Sequence, residues 1–155
     1  MIIFNFLLKK SNIECPRCLG KGFVGPEDIR RLHKQLKWAP GPCAYCNASG
    51  KVTEELLSKV AVDTTYLTID LPESEIEKIK NGDTEAIEKG KRQELFIDNL
   101  IKYVEYYYVS ENMNAESIAA LYLSTEDDKA LYSVEKENLI QYIHKIIELK
   151  RSNPD

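Results

Sequence analysis

The sequence predicts a mainly α protein with a small β zinc-knuckle unit: an N-terminal zinc ribbon or finger followed by a helical bundle. Three observations carry this. A short phrase occurs twice, CPRCLGKGFV from Cys15 and CAYCNASGKV from Cys43, and the two copies hold all four cysteines of the chain. Beyond the second copy, apolar residues recur at helical spacing over long stretches. The charge changes sign in the same region: nine Lys/Arg stand against three Asp/Glu up to Thr53, and twelve against twenty-two from Glu54 onward. Such asymmetry marks regions with different electrostatic roles. The expected domains are a zinc-finger domain with an inserted basic helix over residues 1–53 and an acidic helical domain over residues 54–155.

Taking the elements in order, the chain opens on Met1-Ile-Ile-Phe-Asn-Phe-Leu-Leu8. This run is too short to cross a bilayer, and it lacks the basic start and small-residue cleavage site of a secretory signal. We read it as a strand or docking segment that enters the core, with a peripheral membrane contact as the weaker reading; whether it packs internally or docks on a partner is open. No other stretch resembles a targeting signal, so a cytoplasmic location is expected. Gly25-Pro26 opens a helix over residues 26–38, because Pro is accepted in a first helical turn and Glu27 and Asp28 suit its positive end. Ile29, Leu32 and Leu36 form its apolar stripe, and Arg30, Arg31, Lys34 and Lys37 lie mostly elsewhere. Residues 39–42, Ala-Pro-Gly-Pro, stop it.

Thr53 before Glu54 and Glu55 reads as a helix cap with an acidic first turn. Residues 64–71 alternate with β-branched and aromatic side chains and predict a strand. Pro72 starts a short helix that Asn81-Gly82 ends. The longest helical pattern covers 84–109, and further helices are expected over 115–123 and 134–150. Forcing residues 114–147 into a helix-turn-helix would give the reading helix Glu135, Glu137 and Glu148, a poor match to phosphate; packing within a bundle fits better.

The chemistry lies in the cysteines. The spacing is C-x2-C, twenty-four residues, C-x2-C, somewhat longer than the usual gap of about 15–20 in such ribbons; the inserted helix accounts for the excess. Two such turns can close four thiolates on one metal, and zinc is satisfied by four cysteinates in a tetrahedron. Gly20, Gly22 and Gly50 let backbone amides turn toward the sulfurs. Lys21 and Lys51, one in each phrase, are expected to offset the site's negative charge. The predicted ligands are Cys15, Cys18, Cys43 and Cys46, around one structural Zn²⁺. A thioredoxin-like site would start a helix at its Cys-x-x-Cys, and Leu19-Gly20-Lys21-Gly22 is poor helix material. Paired disulfides would need an oxidising compartment. A catalytic zinc would keep an open position.

Cys15-Pro-Arg-Cys18-Leu-Gly20-Lys-Gly22 fits the C-x-x-C-x-G-x-G repeat in full, and Cys43-Ala-Tyr-Cys46-Asn-Ala48-Ser-Gly50 fits except at Ala48. Here the chain resembles the cysteine-rich zinc domain of the DnaJ (Hsp40) chaperone family, over Cys15 to about Val52. That family carries four such motifs and two zinc ions, whereas this chain has two motifs and room for one; the helix at 26–38 stands where the inner pair would be. A J domain is not indicated, since His33 is followed by Lys34-Gln35 and no His-Pro-Asp triplet occurs. What the resemblance implies is a single-zinc, DnaJ-like finger that binds protein surfaces, of the kind that plant and bacterial proteins reuse without the rest of the chaperone.

The expected function is therefore protein–protein interaction: a zinc-binding adaptor, assembly factor or chaperone-like accessory of a larger complex, with Arg30, Arg31, Lys34, Lys37 and Trp38 as the partner-facing candidates. The first alternative is a nucleic-acid-binding regulator that uses this basic finger with Arg17, Lys21 and Lys51, and Trp38 and Tyr45 as stacking residues; the acidic remainder ranks it second. The other alternative is a thiol–disulfide oxidoreductase. The tyrosines Tyr103, Tyr106, Tyr107, Tyr108, Tyr122, Tyr132 and Tyr142 mix core positions with a candidate self-association surface. His33, His144 and the dispersed carboxylates form no catalytic constellation, so no enzyme activity is expected.

Overall fold

Each cysteine phrase folds into tight turns, and two-residue strands flanking the phrases tie the copies together. The computed structural model describes residues 13–125 and 136–153; the apolar start, Tyr132 and the first residues of the helix expected over 134–150 lie outside them. Strand β1 (Ile13–Glu14) pairs antiparallel with β4 (Lys51–Val52), Ile13 opposite Val52, and β2 (Phe23–Val24) pairs antiparallel with β3 (Gly41–Pro42), Phe23 opposite Pro42. The architecture is mainly helical with these two small sheets. The chain packs as two compact units, Met1–Glu94 and Leu95–Asp155.

In the first unit, helix α1 (Pro26–Arg31) starts where expected, with Pro26 in its first turn and Asp28 accepting a 3.0 Å bond from the Gly25 amide. It is shorter than the predicted 26–38. His33 takes a left-handed φ of +58°, so the chain leaves the helix, and a second turn carries Trp38 inward through Trp38 N–H to Lys34 C=O at 2.9 Å. Helix α2 (Glu54–Lys59) is capped as predicted: the Thr53 hydroxyl accepts from Leu56 N at 3.0 Å. The strand predicted over 64–71 is absent. The alternation there is real, with Thr65 and Leu67 buried between less buried neighbours. The carbonyls of Val62, Thr64, Thr65 and Leu67, however, are taken by the side chains of Arg17 and Trp38 instead of a strand partner.

Helix α3 (Glu73–Lys80) begins after Pro72 and ends at Asn81-Gly82 as predicted, burying Ile76 and Ile79. Asp83 caps the next helix by accepting from Ala86 N at 2.9 Å. Helix α4 (Thr84–Val109) has the predicted limits. The sequence division after Thr53 marks the change of charge, but the packing unit runs on to Glu94. Val60, Leu67, Ile76, Ile79 and Ala86 share one core with the four cysteines, Val24, Ile29, Trp38 and Tyr45.

The second unit holds the rest of α4 with α5 (Ala115–Thr125) and α6 (Lys136–Ser152). Helices α5 and α6 pack on each other. Leu100, Val104, Ile118, Leu139, Ile143 and Ile146 are buried here, and Asn114 caps α5 by accepting from Ser117 N at 2.8 Å. Tyr103 meets Tyr107 and Tyr122 with ring centroids 4.6 and 5.3 Å apart, and Tyr106 is exposed. Burial pushes the Tyr142 hydroxyl up to about 12.

Candidate metal centre

The sequence repeat becomes a structural two-fold. Cys15 N–H bonds Gly50 C=O at 2.9 Å, and Cys43 N–H bonds Gly22 C=O at 3.0 Å. Within the copies, Lys21 N–H to Cys18 C=O matches Ser49 N–H to Cys46 C=O, at 3.2 and 3.1 Å. Both phrases then pass through left-handed backbone, at Leu19, Gly20 and Gly22 in one and at Asn47, Ala48 and Gly50 in the other. The reward of that conformation is a donor for each outer sulfur: Gly22 N–H to Cys18 Sγ and Gly50 N–H to Cys46 Sγ, both 3.2 Å. Glycine is required at both places for a second reason. A Cβ on Gly22 would lie 2.4 Å from the Ala48 carbonyl oxygen, and one on Gly50 would lie 2.4 Å from that of Gly20. The two turns interlock back to back.

This brings the four predicted ligands together. Cys15, Cys18, Cys43 and Cys46 are all buried, with their sulfurs within 4.8 Å of one another. Cys15 Sγ is 3.9 Å from Cys43 Sγ, and Cys18 Sγ is 3.7 Å from Cys46 Sγ. A tetrahedron with metal–sulfur bonds of about 2.3 Å has edges near 3.8 Å, which these two separations match, and the four together could hold a metal ion. Hydrogen bonding with Cys43 pulls the Cys15 thiol down to about 5 against the opposing effect of burial. The same contact, with burial, pushes Cys43 up, and burial raises Cys18. Four sulfurs this close cannot all ionise without a cation among them. No helix starts at either Cys-x-x-Cys, unlike a redox site of the thioredoxin kind.

The middle of each Cys-x-x-Cys points inward, a feature the sequence analysis missed. Arg17 and Tyr45 hold equivalent positions in the two phrases. Tyr45 donates to Val60 C=O at 2.6 Å. Arg17, 2% exposed, donates through Nε to Val62 C=O at 2.8 Å, through Nη1 to Leu67 C=O at 2.7 Å and through Nη2 to Thr64 C=O at 3.0 Å. Its guanidinium lies 4.2 Å over the Trp38 ring. Burial lowers the Arg17 pKa, and negative charge at Cys43 and Cys15 acts in the other direction. The available signal was that both positions bear a large side chain with donors, at the same place in a repeat.

The residues expected to face a partner are for the most part engaged within the first unit. Arg31 donates to Arg17 C=O at 2.9 Å and pairs with Asp28 at 3.1 Å. Lys34 Nζ reaches Thr65 Oγ1 at 2.7 Å, and Lys37 pairs with Glu94 at 3.5 Å. Trp38 is buried and its Nε1 donates to Thr65 C=O at 2.9 Å, so neither it nor buried Tyr45 offers a stacking face. Lys21 binds Asp28 at 2.7 Å. Arg30 and Lys51 are exposed. Of the histidines, His33 is exposed and His144 lies 3.4 Å from Glu116. Among the described residues no helix is long and apolar enough to cross a membrane. Comparison with protein-family models finds no match to this chain, and comparisons with curated proteins and with solved structures find none either.

Proposed function

We propose that the chain is a zinc-stapled protein-interaction module, an adaptor, assembly factor or chaperone-like accessory of a larger complex, built on a single-zinc finger of the DnaJ kind. The observation that carries this reading is the donor set: four buried sulfurs within 4.8 Å of one another, two pairs of them 3.9 and 3.7 Å apart, with backbone amides donating to Cys18 and Cys46. A centre with four thiolates has no position left for water or substrate, so its metal shapes the protein and does no chemistry. Sulfur-only tetrahedral sites take zinc or iron, and zinc suits a purely structural role because it has no redox chemistry.

For the contact surface, the first phrase exposes Leu19 and Phe23, 51% and 49% accessible. The equivalent places in the second phrase carry the polar residues Asn47 and Lys51. Charge also favours a protein partner over nucleic acid. The first unit has fifteen Lys/Arg to fourteen Asp/Glu, so the basic finger is nearly neutralised by the acidic residues that pack with it, and long-range attraction to phosphate is weak.

The test uses zinc-loaded chain as bait in extract of its native cells, beside two variants. One replaces all four cysteines with serine; the other, Leu19→Asn with Phe23→Lys, copies the second phrase onto the first. The reading expects one zinc per chain and a partner that both variants lose, while the second variant keeps its zinc. Iron in place of zinc, or the same captured set for all three proteins, would contradict it. Salt-sensitive oligonucleotide binding lost on neutralising Arg30, Arg31 and Lys34 would move the assignment to nucleic acid. Reduction of insulin disulfides by the metal-free chain would move it to an oxidoreductase.

A further inference from the structure

Arg17, between Cys15 and Cys18 along the chain, is a full positive charge, 2% exposed, and its donors meet three backbone carbonyls. Among the described residues no carboxylate lies within ion-pairing distance of it, and the charge of Asp63 acts on it less than those of Cys43 and Cys15. A buried ion without a counter-charge is strongly unfavourable, and a guanidinium cannot escape by losing its proton. Stacking on Trp38 at 4.2 Å and Tyr45 at 5.4 Å helps, but an aromatic face is a weak substitute for an anion. The missing charge is at hand. Four thiolates around a dication carry two net negative charges, and this centre needs compensation as much as Arg17 does.

We propose that Arg17 is the buried counter-charge of the metal-loaded cysteine cluster, and that its fork on Val62, Thr64 and Leu67 makes the seating of residues 62–67 depend on the metal. This rests on the zinc reading above. With metal bound, the fixed negative charge holds the guanidinium in place, and the guanidinium holds the three carbonyls. When metal leaves, no fixed negative charge holds the guanidinium, and the three carbonyls lose their donors with it. The occupancy of the centre is thereby passed to a segment that holds none of its ligands. Tyr45, at the same place in the second phrase, is neutral and transmits no such dependence.

The test compares full-length wild type with Arg17→Met, Arg17→Lys and Lys51→Met, reading zinc affinity by chelator competition and amide hydrogen exchange over residues 62–67. Arg17→Met should weaken zinc binding by about 10- to 100-fold, as loss of an outer-shell partner does. Lys51→Met removes an exposed, screened cation and should change it by less than about 3-fold. Arg17→Lys keeps the charge without the fork: affinity should return to within about 3-fold of wild type while residues 62–67 still exchange fast. Chelation of wild type should speed exchange over the same residues. Affinity of Arg17→Met within 3-fold of wild type, or exchange at 62–67 indifferent to chelation, overturns the assignment. If Arg17→Met does not fold, Arg17→Lys decides, and a tenfold or greater loss of its affinity overturns it. Wild type that takes up no zinc overturns the underlying reading; wild type that loads zinc while Arg17→Met matches it overturns only the role of Arg17.

Discussion

Two glycines and one alanine govern how closely the cysteine turns approach. Gly22 and Gly50 are left-handed and face backbone oxygens at 2.4 Å once a Cβ is added, so Gly22→Ala combines backbone strain with a clash that cannot swing aside. A loss of about 3 kcal/mol is expected in denaturant unfolding of the metal-loaded protein. Ala48 already bears a left-handed φ of +62°, and Ala48→Gly should gain about 1 kcal/mol in the same assay. Equal effects of the two changes would rule out this account of the turns. Asp28 is 1% exposed. Burial alone would raise its pKa, but Lys21, the Gly25 amide and Arg31 outweigh burial and hold it below its ordinary 3.8. A depressed carboxyl stabilises the fold above its unfolded value and loses that contribution as pH falls through the folded value. Asp28→Asn should thus cost about 2 kcal/mol near neutrality, with the gap to wild type closing in strong acid; a gap that does not change with pH would contradict the pairing. The ligands and the two glycines are readable from the sequence because their spacing repeats. Arg17 is not, because composition treats every arginine as a surface cation, and only the fold decides that this one turns inward.

At the scale of elements, helix ends are readable wherever the chain carries its own stop or start. Thr53, Pro72, Asn81-Gly82 and Asp83 each do so, and the helices beside them have the expected limits or nearly so. Replacing Thr53 by Ala should cost about 1 kcal/mol through the lost bond to Leu56 N–H, measured as a shift in unfolding midpoint; an unchanged midpoint would mean the cap contributes nothing. Two elements differ from their sequence pattern for one reason. The helix starting at Pro26 stops at Arg31 because the chain must turn to bring Trp38 under Arg17. Residues 64–71 form no strand because Arg17 and Trp38 occupy their carbonyls. Periodicity reports which side chains are buried, whereas the partner of each backbone oxygen is a tertiary fact.

For the whole molecule, the charge division seen in the sequence and the packing division differ, and the difference has meaning. The acidic residues of 54–94 belong to the unit that holds the basic finger, so the two signs balance within one body. That body is organised around four buried sulfurs that lie against one another and accept from backbone amides. Sulfur clustering of this kind is stable when a dication neutralises it. X-ray absorption at the zinc edge, on reduced protein purified without added metal, tests this most directly. The expected spectrum has four sulfur neighbours at about 2.3 Å and no nitrogen or oxygen. A shell containing a light atom, or protein that carries no zinc and keeps its fold, would contradict a closed structural centre.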